Sequence, residues 1–282
     1  MLFRDFLFSI KNVHISILEK GQITKLFKVG FIFLYKFIFL DLILYNYFYK
    51  KNLDKMYLKS SELYKKELSY LFKCFNSLRK EHGYDEAYRE NLKEIKHSNV
   101  DILEIGSAKG NGIASLYFYF PNSKLVAIDN NPFRIQYKSR RLRSIYADIS
   151  SKKIMQNLSK HLNQKFDLII EDCSHKLIDQ IICFTENFKN IKRGGIYVVE
   201  DLNFPEIHEK FNPTNEATNL KIILKKIQKN EKISSKFLNQ KELENIKNDI
   251  ESISFYKCKN KNNYLIEGIC DYSEIVFIKK KI

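Results

Sequence analysis

The chain has 282 residues, 44% hydrophobic and 29% charged, with a formal net charge of +15. That length suits one ordinary domain plus an appendage, and the apolar content excludes a disordered or fibrous chain. Five cysteines, odd in number and never spaced CxxC, argue against a disulfide framework or a zinc knuckle and for a reducing compartment. The basic charge admits nucleic acid, anionic lipid or anionic substrates as partners without choosing among them. The richness in Lys, Ile, Asn and Phe also fits a plain AT-rich codon bias.

Residues 1–80 are rich in Phe, Leu and Tyr, lack strand–helix alternation, and are predicted to form a hydrophobic helical extension ahead of a domain at 81–282. No cleavable signal peptide is evident: Arg4, Asp5, Lys11 and Glu19 interrupt the first apolar stretch, and no small-residue cleavage site follows. The expected location is therefore cytoplasmic. Val29–Phe48 is nearly all apolar but carries Lys36 and Asp41, and charges inside a span disfavour a simple transmembrane helix. At about 100° per residue, Lys25, Lys28, Lys36, Asn46 and Lys50 share one stripe, with Asp41 off it. Two readings stand side by side. The helix lies on an anionic membrane surface at the inner face of the plasma membrane, or it packs against the domain or another subunit.

From about 100 to 201 short apolar runs alternate with amphipathic ones. DILEIG, KLVAID, FDLIIED and GIYVVED each end in acid or Gly, as buried parallel strands with crossover helices would. The expected fold is α/β: a doubly wound, Rossmann-like, mostly parallel sheet with ligands at the carboxyl ends of its strands. A third strand is expected to end at SIYA. Residues 214–250 are helical in pattern, and ESISFYKC and SEIVFIKK are expected to close the sheet as an antiparallel pair.

Glu104-Ile105-Gly106-Ser107-Ala108-Lys109-Gly110-Asn111-Gly112 follows the first strand and opens a helix. Gly106 permits a sharp exit from the strand, while Gly110 and Gly112 let backbone approach a ligand beside a helix N-terminus. Asp129 ends the second strand, where a carboxylate accepts from both ribose hydroxyls, and Asp148 ends the third, within reach of an adenine amino group. Such turns also serve NAD enzymes or simply reverse the chain. No second nucleotide-binding half is available here, and the spacing ExGxxxGxG resembles the S-adenosylmethionine motif of class I methyltransferases.

Glu171-Asp172-Cys173-Ser174-His175 and Glu200-Asp201 end two strands expected to be neighbours. Asp172, Glu200 and Asp201 then converge, and converging carboxylates favour a hard cation, Mg²⁺ or Mn²⁺. A metal-bound hydroxyl is more acidic, and His175 stands three residues past Asp172 to take its proton. The plainer alternative makes these solvated strand-end acids and caps, with His175 in a first helical turn.

The Asp172, Ser174, His175 turn with the later Glu200-Asp201 pair resembles the family of metal-dependent sugar O-methyltransferases that includes the macrocin and mycinamicin enzymes, with cephalosporin hydroxylase related. His82-Gly83-Tyr84 with Tyr88, and the closing strands, are also similar to that family, so the likeness spans roughly residues 80–282. It implies Asp172, Glu200 and Asp201 as metal ligands, His175 as base, and a glycan or glycosylated small molecule as acceptor, with a homo-oligomer by analogy. Cys173 departs from the pattern, where Gly is usual, and residues 1–60 have no counterpart. Two other functions remain in view. A nucleic-acid methyltransferase is motivated by the charge, but no NPPY or DPPY tetrad is present, which disfavours nucleic acid. A membrane-surface scaffold on a non-catalytic methyltransferase fold is the other.

Overall fold

The computed structural model describes residues 3–19, 44–131, 134–233, 235, 237–266 and 268–282. Seven strands form one sheet: β1 Asp101–Ile105, β2 Lys124–Asp129, β3 Leu142–Tyr146, β4 Phe166–Glu171, β5 Ile191–Val199, β6 Ile250–Lys259 and β7 Tyr272–Lys280. Their order is β3-β2-β1-β4-β5-β7-β6, with β1 to β5 parallel and β7 antiparallel to both of its neighbours. Every strand read from the sequence is present, and the closing antiparallel pair is as expected.

Alternate strand residues face opposite layers, as the two-residue period requires. Leu103, Ile105, Val126 and Ile169 join one apolar core, and Ile102, Leu125, Leu168 and Val198 join the other. The second face is covered by α2 Leu53–Lys59, α3 Leu68–Cys74, α4 Asp85–Leu92 and α5 Asn111–Tyr119. The first is covered by α6 Lys152–Leu162, α7 Leu177–Phe188, α8 Leu220–Gln228 and α9 Gln240–Asp249. α6 shows why such segments fold as they do. Ser151 Oγ accepts from Ile154 N, Ile154, Met155, Leu158 and Leu162 fall on the buried face, and Asn163 ends the helix in the left-handed conformation.

The helix α1, Phe3–Glu19, packs against the edge strand β3 rather than projecting from the molecule. Arg143 donates to both oxygens of the buried Asp5 (Nε at 2.9 Å, Nη2 at 2.7 Å), and His161 Nε2 lies 2.9 Å from Asp5 Oδ1. Ser9 Oγ accepts from Tyr146 N, and Asn12 Nδ2 donates to Tyr146 O. The sheet edge is thereby covered and its backbone groups are used.

Lys25, Lys28 and Lys36 of the predicted stripe lie outside the described residues, as does most of Val29–Phe48. Lys50, assigned to the same polar stripe, is buried, and that burial together with neighbouring Lys138 pushes its ammonium down to about 8. Its backbone is already extended, because Lys51 N donates to Gln136 O as the chain joins a short parallel pair, 51–52 with 137–138. No helix among the described residues is long and apolar enough to cross a membrane.

Candidate active site

The ladder hydrogen bonds run one step past the strands: Asp172 N donates to Ile105 O at 2.8 Å and Glu200 N to Glu171 O at 3.0 Å. Gly106, Asp172 and Glu200 therefore sit level on one rim, at the carboxyl ends of β1, β4 and β5. Gly106 has φ +92°, and a Cβ there would lie 1.8 Å from the Asp172 carbonyl oxygen. Only glycine allows the turn after β1 to touch the acidic turn after β4. A cleft of about 1070 Å³ opens over this rim, at the upper end of the roughly 300–1,000 Å³ usual for small-molecule sites. Of the residues expected to serve as base, cofactor contacts or metal ligands, all line it except Gly110, which caps α5 beside it in the left-handed conformation.

On the β1–β2 side, Asp129 Oδ2 accepts from Ala108 N at 2.8 Å and Oδ1 from Asn131 N at 2.9 Å. These bonds tie the glycine turn to the end of β2, while burial still pushes the Asp129 carboxyl above its usual range. Asp148 Oδ1 accepts from the backbone and hydroxyl of Ser150. Glu104 is buried at the cleft floor. Its Oε1 accepts from Arg79 Nη1 at 2.7 Å, and its Oε2 accepts no hydrogen bond among the described residues.

On the β4–β5 side, Asp172, Asp201 and His175 each offer a ligand atom, all within 4.8 Å of one another. His175 Nδ1 lies 3.7 Å from Asp201 Oδ2 and Nε2 lies 4.0 Å from Asp172 Oδ1, with the ring against Phe204 at 4.6 Å between centroids. Glu200 stands apart from this trio. Its Oε1 accepts from Arg79 Nε at 2.6 Å and from the Tyr88 hydroxyl. Asp201 Oδ1 accepts from the Tyr84 hydroxyl at 2.6 Å and lies 3.2 Å from His82 Nδ1. Ala108, His175 and Asp201 all adopt positive φ, at 46°, 57° and 51°, so the left-handed conformations of ordinary residues gather around the cleft. His175 precedes α7 instead of occupying its first turn, because Lys176 is the N-cap.

The electrostatics divide these acids. Burial raises Asp201, but His82 and His175 and the Tyr84 hydroxyl more than reverse it, holding the carboxyl low, at about 2. Burial pushes Glu200 up to about 8 against the pull of Arg79, with the Asp172 charge adding to the rise. Asp172 is raised too, by enclosure and by Asp201 and Glu104, with Arg79 opposing. Carboxylates that repel one another and retain protons are a donor set that a hard dication fits, so the residues present suit Mg²⁺ or Mn²⁺.

Arg79 was not legible as a site residue. It precedes α4 within a charged stretch, and nothing in Leu78-Arg79-Lys80-Glu81 marks one cation as buried. The structure buries it between Glu104 and Glu200, 3.8 Å from Asp172. The space it fills lies beside Gly112, where a Cβ would come 1.8 Å from Nη1. In the sequence, His82, Tyr84 and Tyr88 stand out only as a stretch, with no role attached to any of them.

A Rossmann-like sheet in this strand order, with a glycine turn and a carboxylate at the end of each of the next two strands, defines the class: a methyltransferase-type nucleotide-binding domain. The chain belongs to the methyltransferase domain family, whose pattern it matches over residues 96–262. It is 26% identical over 128 residues to 8-demethyl-8-alpha-L-rhamnosyl tetracenomycin-C 2'-O-methyltransferase of Streptomyces olivaceus, covering 43% of this chain and 33% of that one. It is 24% identical over 132 residues to mycinamicin VI 2''-O-methyltransferase of Micromonospora griseorubida, covering 43% and 32%. The chain thus spans about a third of the length of these relatives. Among solved structures, it resembles the MycE methyltransferase in complex with Mg, SAH and mycinamycin VI, with a TM-score of 0.58 and 17% identity over 77% of this chain and 55% of that one. That likeness establishes the fold.

Proposed function

We propose that the protein transfers the methyl group of S-adenosylmethionine to a sugar hydroxyl of a glycan or glycosylated small molecule, with Mg²⁺ or Mn²⁺ at the acidic rim. The observation that carries this reading is the juxtaposition, in one cleft, of the glycine turn with the Asp172–Asp201–His175 trio. The names of the sequence relatives, sugar O-methyltransferases, support the acceptor class.

In this reading Asp129 holds the ribose hydroxyls and Asp148 the adenine amino group, while the turn from Gly106 through Gly110 to Gly112 lets backbone meet the cofactor. Glu104 Oε2, buried and without a donor among the described residues, accepts from the cofactor ammonium. Asp172, Glu200 and Asp201 would hold the cation, which when bound would lower the pKa of the acceptor hydroxyl. His175, steadied by Phe204 and with Nδ1 toward Asp201, accepts the acceptor's proton at Nε2 as the oxygen attacks the methyl carbon and the sulfonium leaves as a thioether. Orientation supplies the remainder, because both reactants are fixed against one rim.

A second reading is favoured by Glu200 being engaged with Arg79 and Tyr88 while His175 lies among the ligand atoms. It makes His175 a ligand in place of Glu200.

Calorimetric titration with S-adenosylmethionine, with and without Mg²⁺, beside Asp172→Asn, tests the reading. The expected result is cofactor binding in both proteins and a Mg²⁺ heat that the variant loses. Absence of cofactor binding under every condition overturns it.

A further inference from the structure

Behind the acidic rim lies a second cluster that methyl transfer leaves unused. Glu171 ends β4, Cys173 sits in the turn after Asp172, and Cys183 lies one layer below on α7. One carboxylate oxygen and the two sulfurs all fall within 4.8 Å of one another. Glu171 and Cys183 are buried, whereas Cys173 is half-buried and lines the cleft, which gives solutes a path to the sulfur.

The hydrogen bonds around these groups point to a ligand. Cys183 Sγ receives two donors at 3.7 Å, Asn187 Nδ2 and the Tyr197 hydroxyl, outer hydrogen bonds of the kind that orient a ligand atom. Glu171 Oε1 accepts from Cys173 Sγ at 2.9 Å, but Glu171 Oε2 is buried and accepts nothing among the described residues. A simple thiol pair that oxidises to a disulfide fits less well, because the bridge would remove the only described donor to Glu171 and leave both oxygens of a buried acid unpartnered. A cation with affinity for sulfur engages all three groups at once.

We propose that Glu171, Cys173 and Cys183 form a binding site for a thiophilic divalent cation such as Zn²⁺, distinct from the oxygen-rich rim. Two sulfurs and a carboxylate select Zn²⁺ over Mg²⁺, and three protein ligands leave a fourth tetrahedral position for water. Binding replaces the protons on the two thiols and the carboxyl, which pass to solvent. Because Cys173 lies between Asp172 and His175, an ion held there anchors the catalytic turn from behind. The inference stands on its own residues and does not require the methyl-transfer reading.

The test uses the full chain, stripped of metal by a chelator, kept reduced, and titrated anaerobically with Co²⁺. The expected result is one equivalent of sulfur-to-cobalt charge-transfer absorption, which excess Mg²⁺ leaves in place and Zn²⁺ removes. Cys183→Ala and Cys173→Ser each abolish the band. Tyr197→Phe keeps it and weakens binding roughly tenfold, as loss of an outer hydrogen bond does. Circular dichroism identifies a variant that fails to fold, in which case the other cysteine variant decides. A wild-type chain without the band, or a band that persists in the folded cysteine variants, overturns the proposal. Cofactor and Mg²⁺ binding are read by heat and not by sulfur absorption, so the two readings fail separately.

Discussion

Arg79 and Arg143 each engage buried carboxylates, and their surroundings are balanced in opposite ways. At the sheet edge a single acid, Asp5, faces Arg143 and His161. Burial would raise its carboxyl, yet their hydrogen bonds and charges hold it below the usual range. At the centre Arg79 faces Glu104, Glu200 and Asp172, with His175 Nε2 4.0 Å from Asp172. There the acids outnumber the cation, and Glu200 is pushed up to about 8. A matched network fastens a helix to a strand. An under-matched one, with acids raised at a cleft, has capacity to take up positive charge, and that imbalance distinguishes a site from a clasp.

The contrast is sharpest in activity. His175→Ala, which leaves both arginine networks intact, should lower turnover roughly 10²–10⁴-fold with cofactor affinity retained, measured by single-turnover methyl transfer and calorimetry. Loss of Mg²⁺ affinity in the same variant would favour the ligand reading of His175. Arg79→Met removes the arginine from the acid-rich network and should destabilise the fold by about 3–5 kcal/mol in denaturant titrations near neutral pH. Its carboxylates then take up protons more readily folded than unfolded, so the deficit should grow as pH rises above the ordinary carboxylate range and shrink as it falls. Asp5→Asn should cost less, about 2 kcal/mol, because charged hydrogen bonds are lost while Arg143 keeps 24% of its side-chain surface in solvent. Turnover should be unchanged.

The clasp also has its own pH signature. Burial lowers His161 below 6.5, so the unfolded chain binds its proton first and stability falls as pH drops through that value. Asp5 is held below 3.8, so its contribution is present above that value and is lost as pH falls through the folded pKa. Wild type should lose stability in both windows, and Asp5→Asn should lose the lower one, as followed by thermal melts.

Most of the sheet was legible because buried parallel strands write continuous apolar runs, and the strand ends carried Asp129, Asp148, Asp172 and Glu200 with them. The segment before β1 was not. Arg79 occupies a three-residue turn whose composition resembles any solvated surface, and only the approach of Glu104 and Glu200 from distant strands makes it a site residue. Lys50 failed the opposite way: its place on a helical stripe implied exposure, but the chain leaves the helix there to pair with 137–138. The Glu171–Cys173–Cys183 cluster escaped because its ligands belong to a strand end, a turn and a helix, and no linear spacing announces it.

The space beside Gly112 links two positions far apart in the chain. Since Arg79 Nη1 and, at 2.6 Å, Glu104 Oε1 fill the volume that a Cβ at 112 would need, the third glycine of the turn is fixed largely by a side chain from outside the turn. The two positions should therefore vary as a pair. A library that randomises the glycine turn alone will retain glycine at 112, whereas one that also shortens residues 79 and 104 opens that position to alanine. The glycine pattern is in part an imprint of the preceding segment, and any redesign of one must carry the other along.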